Sequence, residues 1–127
     1  MRKNTKLVDA IFAELLPIFD LEIPFYWDSM GGSDFAEWSN VFIEEMEFHR
    51  IRINFKMHDN AEMLRETIAH ELIHAWQHEN GLECDHGESF SKWCAWFKKE
   101  YDLNTASSEC NAFEIFSFYC EMMRKAA

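Results

Sequence analysis

The sequence has few basic residues and no long apolar run. It holds 12 lysines and arginines against 23 aspartates and glutamates, a formal charge of −11. Because the DNA phosphate backbone repels such a chain, bulk electrostatics disfavour DNA as a partner. No segment approaches the roughly 18 consecutive apolar residues that cross a bilayer, so we expect no membrane association. The basic start Met1–Lys6 is followed by Asp9 and Glu14 rather than by an apolar signal-peptide core. We therefore expect a cytoplasmic protein.

Cysteine pairs of the C-x-x-C type are also missing. The four cysteines are widely spaced: Cys84, Cys94, Cys110 and Cys120. That spacing excludes a zinc ribbon and a thioredoxin-like motif, and we expect reduced, mostly buried thiols. The chain has 127 residues, 48% of them hydrophobic, which predicts one globular domain over residues 1–127.

Apolar periodicity predicts an α+β fold, with a small antiparallel sheet of about three strands packed with about four helices. The predicted strands are Ile23–Asp28, Phe35–Ile43 and His49–Phe55. The predicted helices are Thr5–Phe19, a central helix that begins at Asp59 and ends at Gly81, Ser89–Tyr101, and Asn111–Lys125. We expect the apolar residues of the last helix to lie in the core: Phe113, Phe116, Phe118 and Cys120.

The central helix carries the motif H-E-x-x-H. His70 and His74 are four residues apart, so both imidazoles project from one face of the helix, with Glu71 beside them. Zinc favours nitrogen ligands, and a catalytic site needs a third protein ligand and an open position for water. We expect one Zn²⁺ per chain and a metal-bound water that Glu71 activates as general base. This chemistry is typical of peptide-bond hydrolysis in protein substrates.

The third ligand must come from the end of the central helix or from beyond it. The candidates with a suitable donor atom are His78, Glu83, Asp85, His86 and Glu109. His78 extends the row of histidines to about 12 Å, which is too long for one ion. Glu109 reaches the site only if the last helix packs across it. We favour His86, because it lies in a short loop where Gly87 gives the backbone room to turn.

The run His70–Trp76, followed by His86-Gly87-Glu88-Ser89-Phe90, resembles the SprT-like family of zinc metallopeptidases. That family's pattern is H-E-x-x-H followed, after a loop of variable length, by H-G-x-x-F. The resemblance implies a minimal zincin-like α+β domain, with His70, His74 and His86 as zinc ligands and Glu71 as the catalytic residue. Many members carry a C-terminal four-cysteine zinc ribbon, and this sequence has none.

Some members of the family cleave proteins crosslinked to DNA. The resemblance therefore implies DNA-associated or DNA-crosslinked proteins as substrates, whereas the acidic charge of this chain disfavours binding to the DNA itself. The basic residues available for a DNA-binding patch are Arg50, Arg52, Lys56, Lys92, Lys98 and Lys99.

Two alternatives remain open. The segment Glu109-Cys110-Asn111-Ala112-Phe113 resembles the helix after the motif in gluzincin-like, repressor-clearing peptidases, which would make Glu109 the third ligand. The other alternative is a non-catalytic, zinc-stabilised protein-interaction module, in which Cys84 or Asp85 closes the fourth position. An open fourth position would support a peptidase, and a closed one would support the module.

Overall fold

The computed structural model describes residues 1–126 and has four helices and one three-stranded sheet. In chain order the elements are α1 (Thr5–Phe19), β1 (Phe25–Ser29), β2 (Ala36–Ile43), β3 (Met46–Ile53), α2 (Ala61–Glu79), α3 (Glu88–Tyr101) and α4 (Ala112–Ala126). A 3₁₀ turn at Phe55–Met57 connects β3 to α2. The predicted α+β fold class is confirmed. The domain predicted over residues 1–127 includes Ala127, which lies outside the described residues.

Side-chain caps define where the first two long helices begin. The Asn4 side chain accepts a hydrogen bond from the backbone N–H of Leu7 at 3.1 Å, at the start of α1. Asn60 does the same for Met63 at 2.9 Å, at the start of α2. The prediction that Asp59 begins the central helix is therefore wrong, because Asn60 holds the N-cap position. The predicted C-terminal end is confirmed, since Gly81 has a φ of +68°.

The sheet is mixed, which corrects the prediction of an antiparallel sheet. Its strand order is β1-β3-β2, with β2 antiparallel and β1 parallel to β3. A two-residue turn at Glu44-Glu45 joins β2 to β3, so the other edge of β3 is free for β1. The segment between β1 and β2 then crosses the end of β3. The Asn54 side chain supports this crossing by donating to the carbonyls of Gly32 and Asp34 at 3.0 and 2.9 Å.

The two faces of strand β3 lie in different environments, one toward the core and the other toward solvent. Ile51 and Ile53 are fully buried, as their alternation predicts. Arg50 and Arg52 point to the other face, where both contact the Asp28 carboxylate, at 2.8 and 3.4 Å. The core side chains of the helices pack against the buried face of the sheet, and they include Val8, Phe12, Leu15, Leu64, Ile68, Leu72, Phe90 and Phe97.

Helix α4 packs against α3, and the remainder of its surface is exposed. The predicted core position of its apolar residues is wrong. Phe113 and Phe116 are 80% and 62% exposed, Cys120 is exposed, and Phe118 is half-buried and outside the core cluster. A helix with one neighbour is covered along one stripe only, and Phe113, Phe116 and Cys120 lie on the opposite side from Ile115 and Phe118.

The four cysteines are free thiols, and the expectation of mostly buried thiols is wrong. Cys94 alone is buried, since Cys84 and Cys120 are exposed and Cys110 is half-buried. No helix in residues 1–126 combines the length and apolar character needed to cross a bilayer.

Candidate metal centre

Helix α2 and the loop that follows it bring three imidazoles together. His70 and His74 project from one face of α2, and His86 reaches them from just before α3. The three ring centroids are 5.1 Å apart in every pair. One nitrogen from each ring lies within 4.8 Å of the other two, so this histidine cluster could hold a metal ion. The structure thus assembles the three residues that the sequence analysis selected as ligands.

The hydrogen bond made by His70 fixes which of its nitrogens can bind a metal. Its Nδ1 lies 2.7 Å from the backbone carbonyl of Thr105. A carbonyl can only accept, so Nδ1 carries the proton and the neutral ring presents an Nε2 lone pair. Burial lowers the pKa of His70 to about 4, so the ring is neutral at pH 7.

His86 presents its Nε2 to the same point. Its Nδ1 faces the Glu109 carboxylate at 3.4 Å, and its Nε2 lies 3.2 Å from the Nε2 of His70. Both Nδ1 atoms face acceptors, which leaves the two Nε2 atoms turned toward one another. A metal ion at this point would be within reach of both nitrogens.

A buried amide holds the third imidazole. Gln77 is fully buried, and its Oε1 accepts a hydrogen bond from Nδ1 of His74 at 2.8 Å. Its Nε2 donates to the Asp85 carbonyl at 3.1 Å and to the Ser89 hydroxyl at 2.9 Å. Burial also lowers the pKa of His74. One side chain therefore orients His74 and ties α2 to the loop that carries His86.

The donor set fits zinc. Tetrahedral zinc with Zn–N bonds of about 2.0–2.1 Å requires ligand nitrogens about 3.3 Å apart, and the nitrogens of His70 and His86 are 3.2 Å apart. Partners that hold the second nitrogen of each ligand imidazole are usual at such sites. Cys84 and Asp85 bond elsewhere: the Cys84 thiol to the His74 carbonyl at 3.5 Å, and Asp85 Oδ1 to the Gly87 N–H at 3.1 Å. Within residues 1–126, the candidate ligand group consists of the three histidines.

Glu71 lies beside the histidines and is nearly buried, at 6% exposure. Burial raises its pKa to about 8 and the charge of Glu37 adds to this, whereas a hydrogen bond with the Trp38 backbone opposes it. A nearby cation favours the ionised carboxylate and lowers that pKa. Glu71 can therefore hold or release a proton close to neutral pH.

The histidine cluster and Glu71 line a cleft of about 920 Å³. One wall is the edge strand β2 with the residues before it, Ser33 to Trp38, and the opposite wall is the connector from Asn104 to Glu109. An edge strand has backbone N–H and C=O groups that no neighbouring strand pairs. The cleft therefore offers an extended peptide a partner strand next to the imidazoles.

The other candidate residues lie outside the cluster. The Glu109 side chain is 78% exposed and contacts His86 through Nδ1. His78 contacts Glu47 at 3.3 Å. His78 is not among the described residues that line the cleft.

His49 and His58 are buried histidines whose ring nitrogens are satisfied by hydrogen bonds. His49 accepts from the Trp38 indole at 3.0 Å and lies 2.6 Å from Glu79. His58 contacts the Asn54 carbonyl and the Thr67 hydroxyl, both at 2.8 Å.

Two residues of the site, Gln77 and Thr105, were not predicted from the sequence. Gln77 follows His74 by three positions, and helical spacing alone could have indicated that their side chains meet. Thr105 acts through its backbone carbonyl, for which a sequence carries no signal.

Comparison with known proteins agrees with this geometry. No curated protein matches the chain. The model of the SprT-like family matches residues 21–111, which include the sheet, the motif helix, the His86 loop and α3. The chain therefore belongs to the SprT-like family, which is associated with metallopeptidases and a zincin-like fold.

Proposed function

We propose that this protein is a zinc-dependent endopeptidase that hydrolyses peptide bonds in protein substrates. The observation that carries the proposal is the meeting of three oriented, metal-competent imidazoles with the buried carboxyl of Glu71 in a cleft along an edge strand. Membership of the SprT-like family supports the same conclusion.

In this proposal His70, His74 and His86 hold one zinc ion through their Nε2 atoms. Thr105, Gln77 and Glu109 keep the rings in place through the Nδ1 atoms. When bound, zinc supplies Lewis-acid activation of water and of the scissile carbonyl.

Glu71 moves the proton. Its carboxylate accepts a proton from the attacking water and delivers it to the leaving amine, so that the carboxylate is regenerated in each turnover. Glu71 is largely shielded from bulk water, and a carboxylate in such surroundings is a stronger base than in water.

The substrate is proposed to bind as an extended segment along β2. Backbone hydrogen bonds to an edge strand align a peptide largely without regard to its side chains. A cleft of about 920 Å³ is larger than a single side chain requires, which fits the binding of several consecutive residues. This arrangement favours cleavage within a chain over trimming of its ends.

We propose that the substrates are proteins associated with or crosslinked to DNA, and that the enzyme recognises the protein rather than the DNA. Two residues of the candidate DNA patch pair with carboxylates instead: Arg50 with Asp28 at 2.8 Å and Arg52 with Glu37 at 3.4 Å. The net charge of −11 also favours basic polypeptides over DNA.

The test is the variant Glu71→Gln, which keeps the shape of the side chain and removes its basicity. We expect this variant to bind one zinc per chain and to lose cleavage of an unfolded protein such as casein, measured by gel electrophoresis with and without added zinc. Glu62→Gln, an exposed change in the first turn of the same helix, is the matched control and should cleave like the wild type. Cleavage by Glu71→Gln at the wild-type rate would overturn the mechanism. A zinc-loaded wild type that cleaves no protein would favour the non-catalytic module.

A further inference from the structure

A second cavity lies on the other side of the His86 loop. It has a volume of about 800 Å³ and shares no lining residue with the cleft at the histidines. Trp76, Trp93 and Trp96 line it, together with apolar side chains of Ile18, Leu82 and Met122. We name this cavity the tryptophan pocket. Pockets of this volume are typical of sites that bind a ligand or a short segment.

Three indole rings line the tryptophan pocket, and their N–H groups donate to no protein atom within residues 1–126. Trp93 stands nearly perpendicular to Trp76, at 76°, and to Trp96, at 82°, with ring centroids 5.3 and 5.5 Å apart. All three rings are only half-buried. In residues 1–126 the indole N–H groups that donate to protein atoms belong to Trp27 and Trp38. Trp93 also packs against Phe19 and Phe97 of the core, so the three indoles offer a ligand the part of each ring that lines the pocket.

The mouth of the tryptophan pocket is acidic. Three carboxylates and one ammonium line it: Glu83, Asp85, Glu88 and Lys92. Lys92 pairs with Glu88 at 3.0 Å. Asp85 contacts a backbone N–H through one oxygen, and Glu83 makes no ion pair within the described residues 1–126. Glu83 and Asp85 thus line an indole-walled cavity without an ion pair of their own within residues 1–126.

This combination selects a cation with a flat, partly apolar surface. A guanidinium stacks on indole faces and also pairs with carboxylates in a planar, two-pronged arrangement. An ammonium is more strongly hydrated and makes a point contact only. We propose that the tryptophan pocket binds an arginine side chain, with its flanking residues, from a basic segment of another polypeptide. The proposal does not depend on the peptidase activity, because the two cavities have separate linings.

The test measures binding of a dye-labelled nonapeptide built from arginine, leucine and glycine, by fluorescence anisotropy. The protein is the zinc-loaded Glu71→Gln variant, so that the probe stays intact. A matched peptide with citrulline in place of arginine keeps the shape and loses the charge, and we expect it to bind about tenfold more weakly. Equal affinity for the two peptides would overturn the proposal in favour of a plain apolar groove.

Two charge changes at the mouth should act in opposite directions. Glu83→Gln is expected to weaken binding of the arginine peptide about two- to fivefold, and Lys92→Gln to tighten it by a similar factor. Glu22→Gln, an exposed carboxylate away from the tryptophan pocket, removes the same charge and should leave the affinity unchanged. A general effect of net charge or of folding would not produce opposite signs at the two mouth positions. Shifts of the same sign for Glu83→Gln and Lys92→Gln would therefore refute the assignment of this cavity.

Discussion

The substitution Gln77→Leu separates a role in holding the metal from a role in folding. Leucine has a similar volume but neither accepts nor donates a hydrogen bond. It removes the acceptor for Nδ1 of His74, and it removes the donor that reaches the Asp85 carbonyl and the Ser89 hydroxyl. His74 is then free to rotate, and the loop that carries His86 loses its tie to α2.

The expected magnitudes follow from burial. Gln77 is fully buried, and leaving its partners without hydrogen bonds should lower the free energy of unfolding of the zinc-free protein by about 1–3 kcal/mol. Loss of a partner that orients a ligand histidine typically reduces metal affinity by about 10- to 100-fold. Competition against a chromogenic zinc chelator measures the affinity, and urea unfolding of the zinc-free protein measures the stability.

Two further variants make this experiment decisive. Asn80→Ala removes an amide that donates to the Trp76 carbonyl at 2.9 Å, close in sequence but without contact to the imidazoles, and it should leave zinc affinity within about twofold of wild type. Gln77→Glu keeps an acceptor for His74 but loses the donor to the Asp85 carbonyl, so its zinc affinity should lie between those of Gln77→Leu and the wild type. If Gln77→Leu is destabilised but binds zinc like the wild type, Gln77 only supports the fold and the orienting role is refuted.

Three other predictions concern the third ligand, an acidic anchor and the exposed face of α4. His86→Ala should lose zinc during purification, whereas Glu109→Ala should weaken zinc binding by about tenfold at most, because that carboxylate is 78% exposed; metal analysis showing loss only in Glu109→Ala would make Glu109 the third ligand. Burial raises the pKa of Glu79, but hydrogen bonds from the Glu22 and Ile23 backbones and from His49 outweigh it, so the pKa is lowered from 4.5. Glu79→Gln should therefore lose about 1–2 kcal/mol of unfolding free energy at pH 7, and urea titrations should show this difference shrinking as the pH falls below 4.5 through the folded-state pKa. Phe116→Ser should change the unfolding free energy by about 0.5 kcal/mol or less, since Phe116 is 62% exposed; a loss above about 2 kcal/mol in the same assay would mean that this face is covered in solution.

Sequence alone predicted the helices and the histidine cluster because both follow from local geometry. Four-residue spacing on a helix fixes the relation of His70 to His74, and a short loop limits where His86 can go. The alternation of Ile51 and Ile53 likewise depends only on the two-residue period of a strand, and both are buried as expected. That the three histidines bind a metal remains a prediction.

The remaining features depend on partners that are distant in sequence. The parallel pairing of β1 with β3 requires a crossing segment held by Asn54. The residue pattern of β1 does not indicate which strand it pairs with. The choice of Asn60 over Asp59 as the cap depends on the exact backbone conformation. The exposure of Phe113 and Phe116 follows from α4 packing on one side only, which their helical spacing does not reveal.

The crossing segment also constrains the order of folding. The hairpin of β2 and β3 closes through two residues, Glu44 and Glu45, and such hairpins form in about 1–10 μs. Strand β1 pairs with residues 24 positions away, as in Phe25 with His49. Because the loop that closes on docking is longer, its entropic cost is larger, and we expect β1 to dock after the hairpin has formed. Asn54 bonds the carbonyls of Gly32 and Asp34 in the segment that joins β1 to β2, and we expect the bond to Gly32 to form when β1 docks. Asn54→Ala should therefore speed unfolding and leave the folding rate almost unchanged.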